Sequence, residues 1–184
     1  MLELIDTELK IRNQALGYVL ENLQSYMYTV SIVVSEIIKK NNNIFFFGNG
    51  RSINNIENFM YNLKKIDRDI KITSLCESNI EITSIADEFG YDRIYDKQIE
   101  YRAKKDDLLI GFSAVGNNKN VLRALSLGRN IECRTIGFSG NDGGVMDEFC
   151  DINLVVPSED ENCIMEMQMI MVNIISQNID KIIS

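Results

Sequence analysis

Five short apolar runs alternate with stretches of helical periodicity, and this alternation constrains the chain more than any other feature. Ile44–Phe47, Ile70–Leu75, Leu108–Phe112, Arg134–Phe138 and Ile152–Val156 read as strands. Ile44–Phe47 is a continuous apolar run bounded by Asn and Gly, the pattern of a strand buried on both faces. Between them, IENFMYNLKKI, SNIEITSIADEFGYDRIYDKQIEY (broken near Gly90) and Lys119–Leu127 read as helices. ENCIMEMQMIMVNIISQNIDKII reads as a long final helix. This order predicts an α/β fold with a mostly parallel sheet of about five strands sandwiched by helices. With 184 residues and no linker or repeat, one domain (1–184) is expected, a helical segment over 1–40 preceding an α/β core over 41–184.

The N-terminal segment reads as helix from about residue 4 to 40; a break near Leu23–Tyr28 would make it two helices. Its apolar surface (Leu16, Val19, Leu20, Leu23, then Tyr26, Val30, Val33, Val34, Ile37, Ile38) suits either a partner subunit or the chain's own sheet. Met165, Met167, Met169 and Met171 alternate at spacing two, so they cannot form one stripe. A final helix buried on most sides accounts for them.

The chain has no histidine. That removes the commonest general acid/base near neutral pH and the commonest metal ligand. Ser-His-Asp and Cys-His machinery and histidine-ligated zinc are excluded. Cys76, Cys133, Cys150 and Cys163 form no C-x-x-C pair, and no metal or other cofactor is expected. The net charge of -8 argues against nucleic acid as a partner, while leaving room for one small anion in a local pocket. The first residues lack a signal-peptide pattern and no run approaches a membrane span, so a cytoplasmic location is expected.

Two strand ends carry turns suited to ligand binding. Phe47-Gly48-Asn49-Gly50-Arg51-Ser52 follows the first strand. Its glycines permit close approach, and Ser52 can cap the next helix or donate to an anion. Ser113-Ala114-Val115-Gly116-Asn117-Asn118 leads into the helix from Lys119, whose N-terminal amides face an anion. Arg51 and Lys119 are candidate charge partners or solvated surface cations. A third loop, Ser139–Gly144, is explained by turn chemistry.

The loops in this order, together with FFFGNGRS (45–52), IADEFGYDRIYDKQI (85–99), DDLLIGFSAVGNNKNVLRAL (106–125) and IGFSGNDGGVMDEFCDINLVVPS (136–158), resemble the sugar isomerase (SIS) domain. The likeness runs from about Leu20 to Ile182. It is strongest to the phosphoheptose isomerase branch, which includes the DnaA initiator-associating protein. The resemblance implies a flavodoxin-like sandwich whose N-terminal helices join subunits into dimers or tetramers. It also implies a phosphosugar ligand whose phosphate lies on the serine-rich loop. Carried over residue by residue, the binding positions are Asn49, Gly50, Arg51, Ser52, Ser113, Ala114, Val115, Gly116, Asn117 and Asn118.

The same carry-over shows departures. Arg51 stands where the family has glycine, and only Ser113 survives of three serines in S-T-S-G-N-S. Each lost hydroxyl removes a donor worth about 1.5–3 kcal/mol toward a charged partner. The isomerase H-F-A-E-E is Asn58-Phe59-Met60-Tyr61-Asn62 here, so Asn62 replaces the acid/base glutamate. In the final helix, D-R-I-Q-E-I-H is Asn162-Cys163-Ile164-Met165-Glu166-Met167-Gln168, and Asn173 replaces the last histidine. An amide is no general base at neutral pH, so the usual aldose–ketose chemistry is doubtful on this reading. Glu57, Glu77, Glu81, Glu161 and Glu166 are the remaining carboxylates, with Glu166 the matching one. A phosphosugar-binding protein is the leading expectation. A non-enzymatic oligomeric scaffold with a protein partner and an isomerase using another carboxylate are the alternatives.

Overall fold

The computed structural model describes residues 1–184. Five strands, β1 (Ile44–Gly48), β2 (Ile72–Ser74), β3 (Leu108–Ser113), β4 (Arg134–Gly140) and β5 (Ile152–Val156), form one sheet in the order β2-β1-β3-β4-β5. Every pairing is parallel. The strand order is flavodoxin-like, as the resemblance implies, and the parallel pairing is what the sequence pattern predicts.

The helices lie on both faces, and the period of two along each strand sorts the core. Ile44 and Phe46, Leu108 and Ile110, and Ile136 and Phe138 turn to one face. There they meet α1 (Leu2–Tyr18), α2 (Gln24–Lys39), α3 (Ser52–Ile66) and the final helix α7 (Glu161–Ile183). Phe45, Phe47 and Leu109 turn to the other. There they meet α5 (Asp96–Arg102) and α6 (Lys119–Asn130), with α4 (Asn79–Phe89) packing at the edge. On the first face Phe112 and Phe138 stack with centroids 4.5 Å apart, and Phe59 from α3 meets Phe138 edge-on at 6.5 Å.

The N-terminal helix does not break at residues 23–28. It runs on through a π-helical turn at Val19–Leu23, with helical backbone angles at both ends. No Pro or Gly falls there to stop it, and one widened turn shifts the apolar face enough to keep Val19, Leu23 and Met27 all buried. β2 is shorter than the apolar run suggests, because only three residues pair with β1 at this sheet edge. The methionines separate as expected on a helix: Met167 and Met171 are buried, while Met165 and Met169 line a cavity. No helix is long and apolar enough to cross a membrane.

Phe59→Ala empties a fully buried site between α3 and the sheet. It is expected to lower unfolding free energy by about 3–5 kcal/mol, read by urea titration.

Candidate functional site

In an open parallel sheet, ligands sit beyond the strand carboxyl ends where the strand order reverses. Here that crevice lies between β1 and β3, and the loops after these two strands meet in it. Gly48 pairs with Phe112, and a Cβ on Gly48 would lie 3.0 Å from both the Phe112 Cβ and its carbonyl oxygen. Glycine lets the two strand ends close up.

Asn49 ties the crevice together. Its amide N–H donates to Asn120 Oδ1 and its oxygen accepts from Asn120 Nδ2, both at 2.9 Å. The same oxygen accepts from the hydroxyls of Tyr91 at 3.1 Å and Tyr95 at 3.3 Å. Tyr95 also donates to the Gly48 carbonyl at 2.6 Å. Burial, followed by the nearby Cys76, pushes the Tyr95 phenol up, so it stays a neutral donor. Asn49 thereby holds the crevice together through its oxygen and one of its two amide N–H groups.

The second loop shapes a cradle. The Ser113 hydroxyl donates to Asn118 Oδ1 at 2.6 Å, fixing the turn into α6. The backbone N–H groups of Asn117, Asn118 and Lys119 have no backbone acceptor, so they stand open at the N-terminus of a 12-residue helix. The third loop does more than turn. A Cβ on Gly116 (φ 66°) would lie 1.9 Å from the Gly143 carbonyl oxygen. Asn117 Oδ1 accepts from the Val145 N–H at 3.1 Å. The third loop therefore braces the cradle, and the Asn117 side chain is used in that brace. Ala114 and Val115 offer backbone only.

α3 and α7 form the far wall. Ser52 is buried, its hydroxyl meeting only the Met165 sulfur at 4.0 Å. Arg51 reaches across to α7, donating to Asn162 Oδ1 at 2.5 Å and pairing with Glu161 at 3.1 Å. A cavity of about 420 Å³ lies between them, lined also by Asn55, Met165 and Glu166. Both oxygens of Glu166 are engaged by Arg12 of α1, Nε at 2.7 Å and Nη2 at 3.1 Å. These bonds, with that to Glu8, hold the Arg12 guanidinium still further into its charged range.

A second cavity of about 350 Å³ is lined by Asn62, Asn173, Lys65 and Asp180. Asn58 and Asn62 both donate to Asn173 Oδ1, at 2.8 and 3.1 Å. Three amides from two helices thus converge where the resemblance places the isomerase acid/base groups. No group of three His, Cys, Asp or Glu side chains is placed to hold a metal ion. Amides at 58, 62 and 173 and the Met165 thioether do not fit a zinc ion, which favours imidazole, thiolate or carboxylate. Of the other carboxylates, Glu57 and Glu77 are exposed and Glu81 pairs with Arg102 at 2.6 Å.

Sequence reasoning missed Arg12, Asn120, Tyr91 and Tyr95. Arg12 lies 154 residues from Glu166, and nothing local signals their pairing. Asn120 carried a weak signal, since it follows the helix start that the glycine turn predicts. The burial of Cys133 and Cys150 pushes each thiol up to about 12, which sets them apart from any chemistry.

The sequence pattern of the SIS domain matches residues 12–140, and with the two-loop crevice that decides the matter. The chain belongs to the SIS domain family. It is 39% identical over 181 residues to a phosphoheptose isomerase of Aliarcobacter butzleri, covering 96% of each chain. A phosphoheptose isomerase of Nitratiruptor sp. is 34% identical, across 98% of this chain and 99% of its own. The solved phosphoheptose isomerase of Neisseria gonorrhoeae superposes with a TM-score of 0.92 at 21% identity, over 97% of this chain and 98% of its own. That last likeness speaks for the SIS fold.

Within this SIS domain, Asn49→Ala breaks the reciprocal amide pair and leaves the buried Asn120 side chain without its main partner. The expected loss is about 1–3 kcal/mol in thermal or urea unfolding. Gly116→Ala is expected to be at least as damaging, because its Cβ meets backbone and its φ is left-handed.

Proposed function

We propose that this SIS domain protein binds a phosphosugar, with the phosphate at the N-terminus of α6 and the sugar chain directed toward α3 and α7. The observation that carries this reading is the open set of N–H groups at Asn117, Asn118 and Lys119 beside Ser113. A helix N-terminus of this kind suits a phosphate through both its free donors and its dipole. The relatives named phosphoheptose isomerase, alike over almost the full chain, support a phosphorylated sugar as the ligand class.

The catalytic step is proposed to be absent or altered. Aldose–ketose isomerisation needs a base within hydrogen-bond reach of the carbon-bound proton. Asn58, Asn62 and Asn173 can hydrogen-bond sugar hydroxyls in both directions and cannot take that proton. Glu166 is the carboxylate left for an isomerase reading, and its oxygens are engaged by Arg12. The non-enzymatic scaffold reading keeps its basis in the same amide trio.

An oligomer is also part of the proposal. Leu2, Leu4, Ile5 and Leu9 of α1 are exposed apolar side chains, in keeping with N-terminal helices that join subunits.

A panel of sugar phosphates against their unphosphorylated sugars, read by melting temperature, tests the ligand class. At a hundredfold excess over Kd, sedoheptulose 7-phosphate or a related ester is expected to raise Tm by roughly 5–10 °C. No rise across the phosphorylated set, or an equal rise with the free sugars, would contradict it.

A further inference from the structure

Arg51 is the one cation planted in the glycine loop itself, and its present partners are poor reasons for its position. Its side chain crosses the mouth of the cavity of about 420 Å³ to the first turn of α7. There it meets Glu161 at 3.1 Å, with the two side chains 56% and 59% exposed. An ion pair so open to water is worth little, because solvent screens it and two long side chains must be held still. The Asn162 oxygen at 2.5 Å adds a neutral acceptor. Neither contact is buried, and neither fixes an element that α3 and α7 do not already hold through their own packing.

The loop geometry gives Arg51 a second possible partner. β1 and β3 are neighbours, Gly48 opposite Phe112, so strands about 4.8 Å apart deliver the Arg51 loop and the Ser113–Asn118 cradle side by side. The cradle offers neutral donors only, backbone N–H groups and the side-chain amides of Asn117 and Asn118; the Ser113 hydroxyl already donates to Asn118, and Ala114 and Val115 contribute no side-chain donor. It contains no fixed positive charge: Lys119 is 77% exposed and stands 4.0 Å from Asp92. A guanidinium presents a planar fork that matches phosphate oxygens better than it needs a single carboxylate oxygen.

We infer that Arg51 is an exchangeable anion anchor: Glu161 and Asn162 hold its guanidinium at the cavity mouth in the free protein, and a bound phosphate ester takes it from them. Glu161 is then a built-in competitor of the ligand, and it lowers affinity. This rests on the phosphosugar reading above, and it adds a residue-level account of how that ligand's charge is met. It also gives the direction of an effect that a merely structural Arg51–Glu161 bridge would not produce.

The test is a double-mutant cycle on sedoheptulose 7-phosphate binding, by calorimetry at low ionic strength. Glu161→Gln is expected to tighten binding about two- to fivefold, the range set by one exposed ion pair. Arg51→Ala is expected to weaken it about tenfold, the loss of a charged donor. In the Arg51→Ala background, Glu161→Gln should change nothing. Melting curves check that the four proteins fold alike, as these exposed positions lead one to expect. If Glu161→Gln binds no tighter than the unmodified protein, or if its gain persists without Arg51, the exchange is overturned. Absence of binding by the unmodified protein overturns the phosphosugar reading together with it, whereas binding with a flat cycle overturns the Arg51 role alone.

Discussion

Two asparagine side chains, Asn49 and Asn120, face one another across the crevice between β1 and β3 and exchange two hydrogen bonds. Asn120 is buried, so water cannot easily take its partner's place, and Asn49 is half-buried. The pair fixes the first loop against the first turn of α6. That contact sets where the open amides of Asn117, Asn118 and Lys119 sit relative to Arg51 and Ser52. Tyr91 and Tyr95 complete it by donating to Asn49, and Tyr95 reaches the Gly48 carbonyl as well. Everything the crevice can do depends on this polar clamp, because loops without it would not hold a cradle open in the absence of ligand.

Around the clamp the molecule separates its tasks by face. The face bearing α1, α2, α3 and α7 carries the larger core and also the amide trio, the Arg12–Glu166 contact and the cavity at Arg51. The opposite face carries α5 and α6 and supports the loops from below. On the proposed reading, binding groups come from strand ends and helix starts, whereas the positions that the resemblance assigns to proton transfer lie on the sides of α3 and α7. There Asn58 and Asn62 both donate to Asn173 Oδ1, and neutral amides leave no buried charge uncompensated.

Much of this was readable in the sequence. The apolar runs gave the five strands and the glycine turns gave the two loops, because period and turn chemistry are local properties. The binding loop residues were legible as positions, not as contacts. Asn49 and Asn117 stand in the loops that the resemblance assigns to the ligand, and the contacts that also brace those loops, Asn49 to Asn120 and Asn117 Oδ1 to the Val145 N–H, are not visible in the sequence. Those bonds span residues 28 to 71 apart in the chain, and no local pattern announces them. Helix through residues 19–23 was legible from its periodicity, but the π turn at Val19–Leu23 was not, because it goes with the tertiary burial of Val19 and Leu23 rather than with a local signal.

The central proposal is that this SIS domain binds an anion at the start of α6 while amides stand at the positions that the resemblance assigns to proton transfer. Incubating the protein with sedoheptulose 7-phosphate in deuterated water, and following the sugar by NMR, tests both halves in one sample. The account predicts that the ligand resonances broaden or shift on adding protein while no deuterium enters the carbon next to the carbonyl. Deuterium incorporation at that carbon, lost in a protein-free control, would show a working base in the site and contradict the claim.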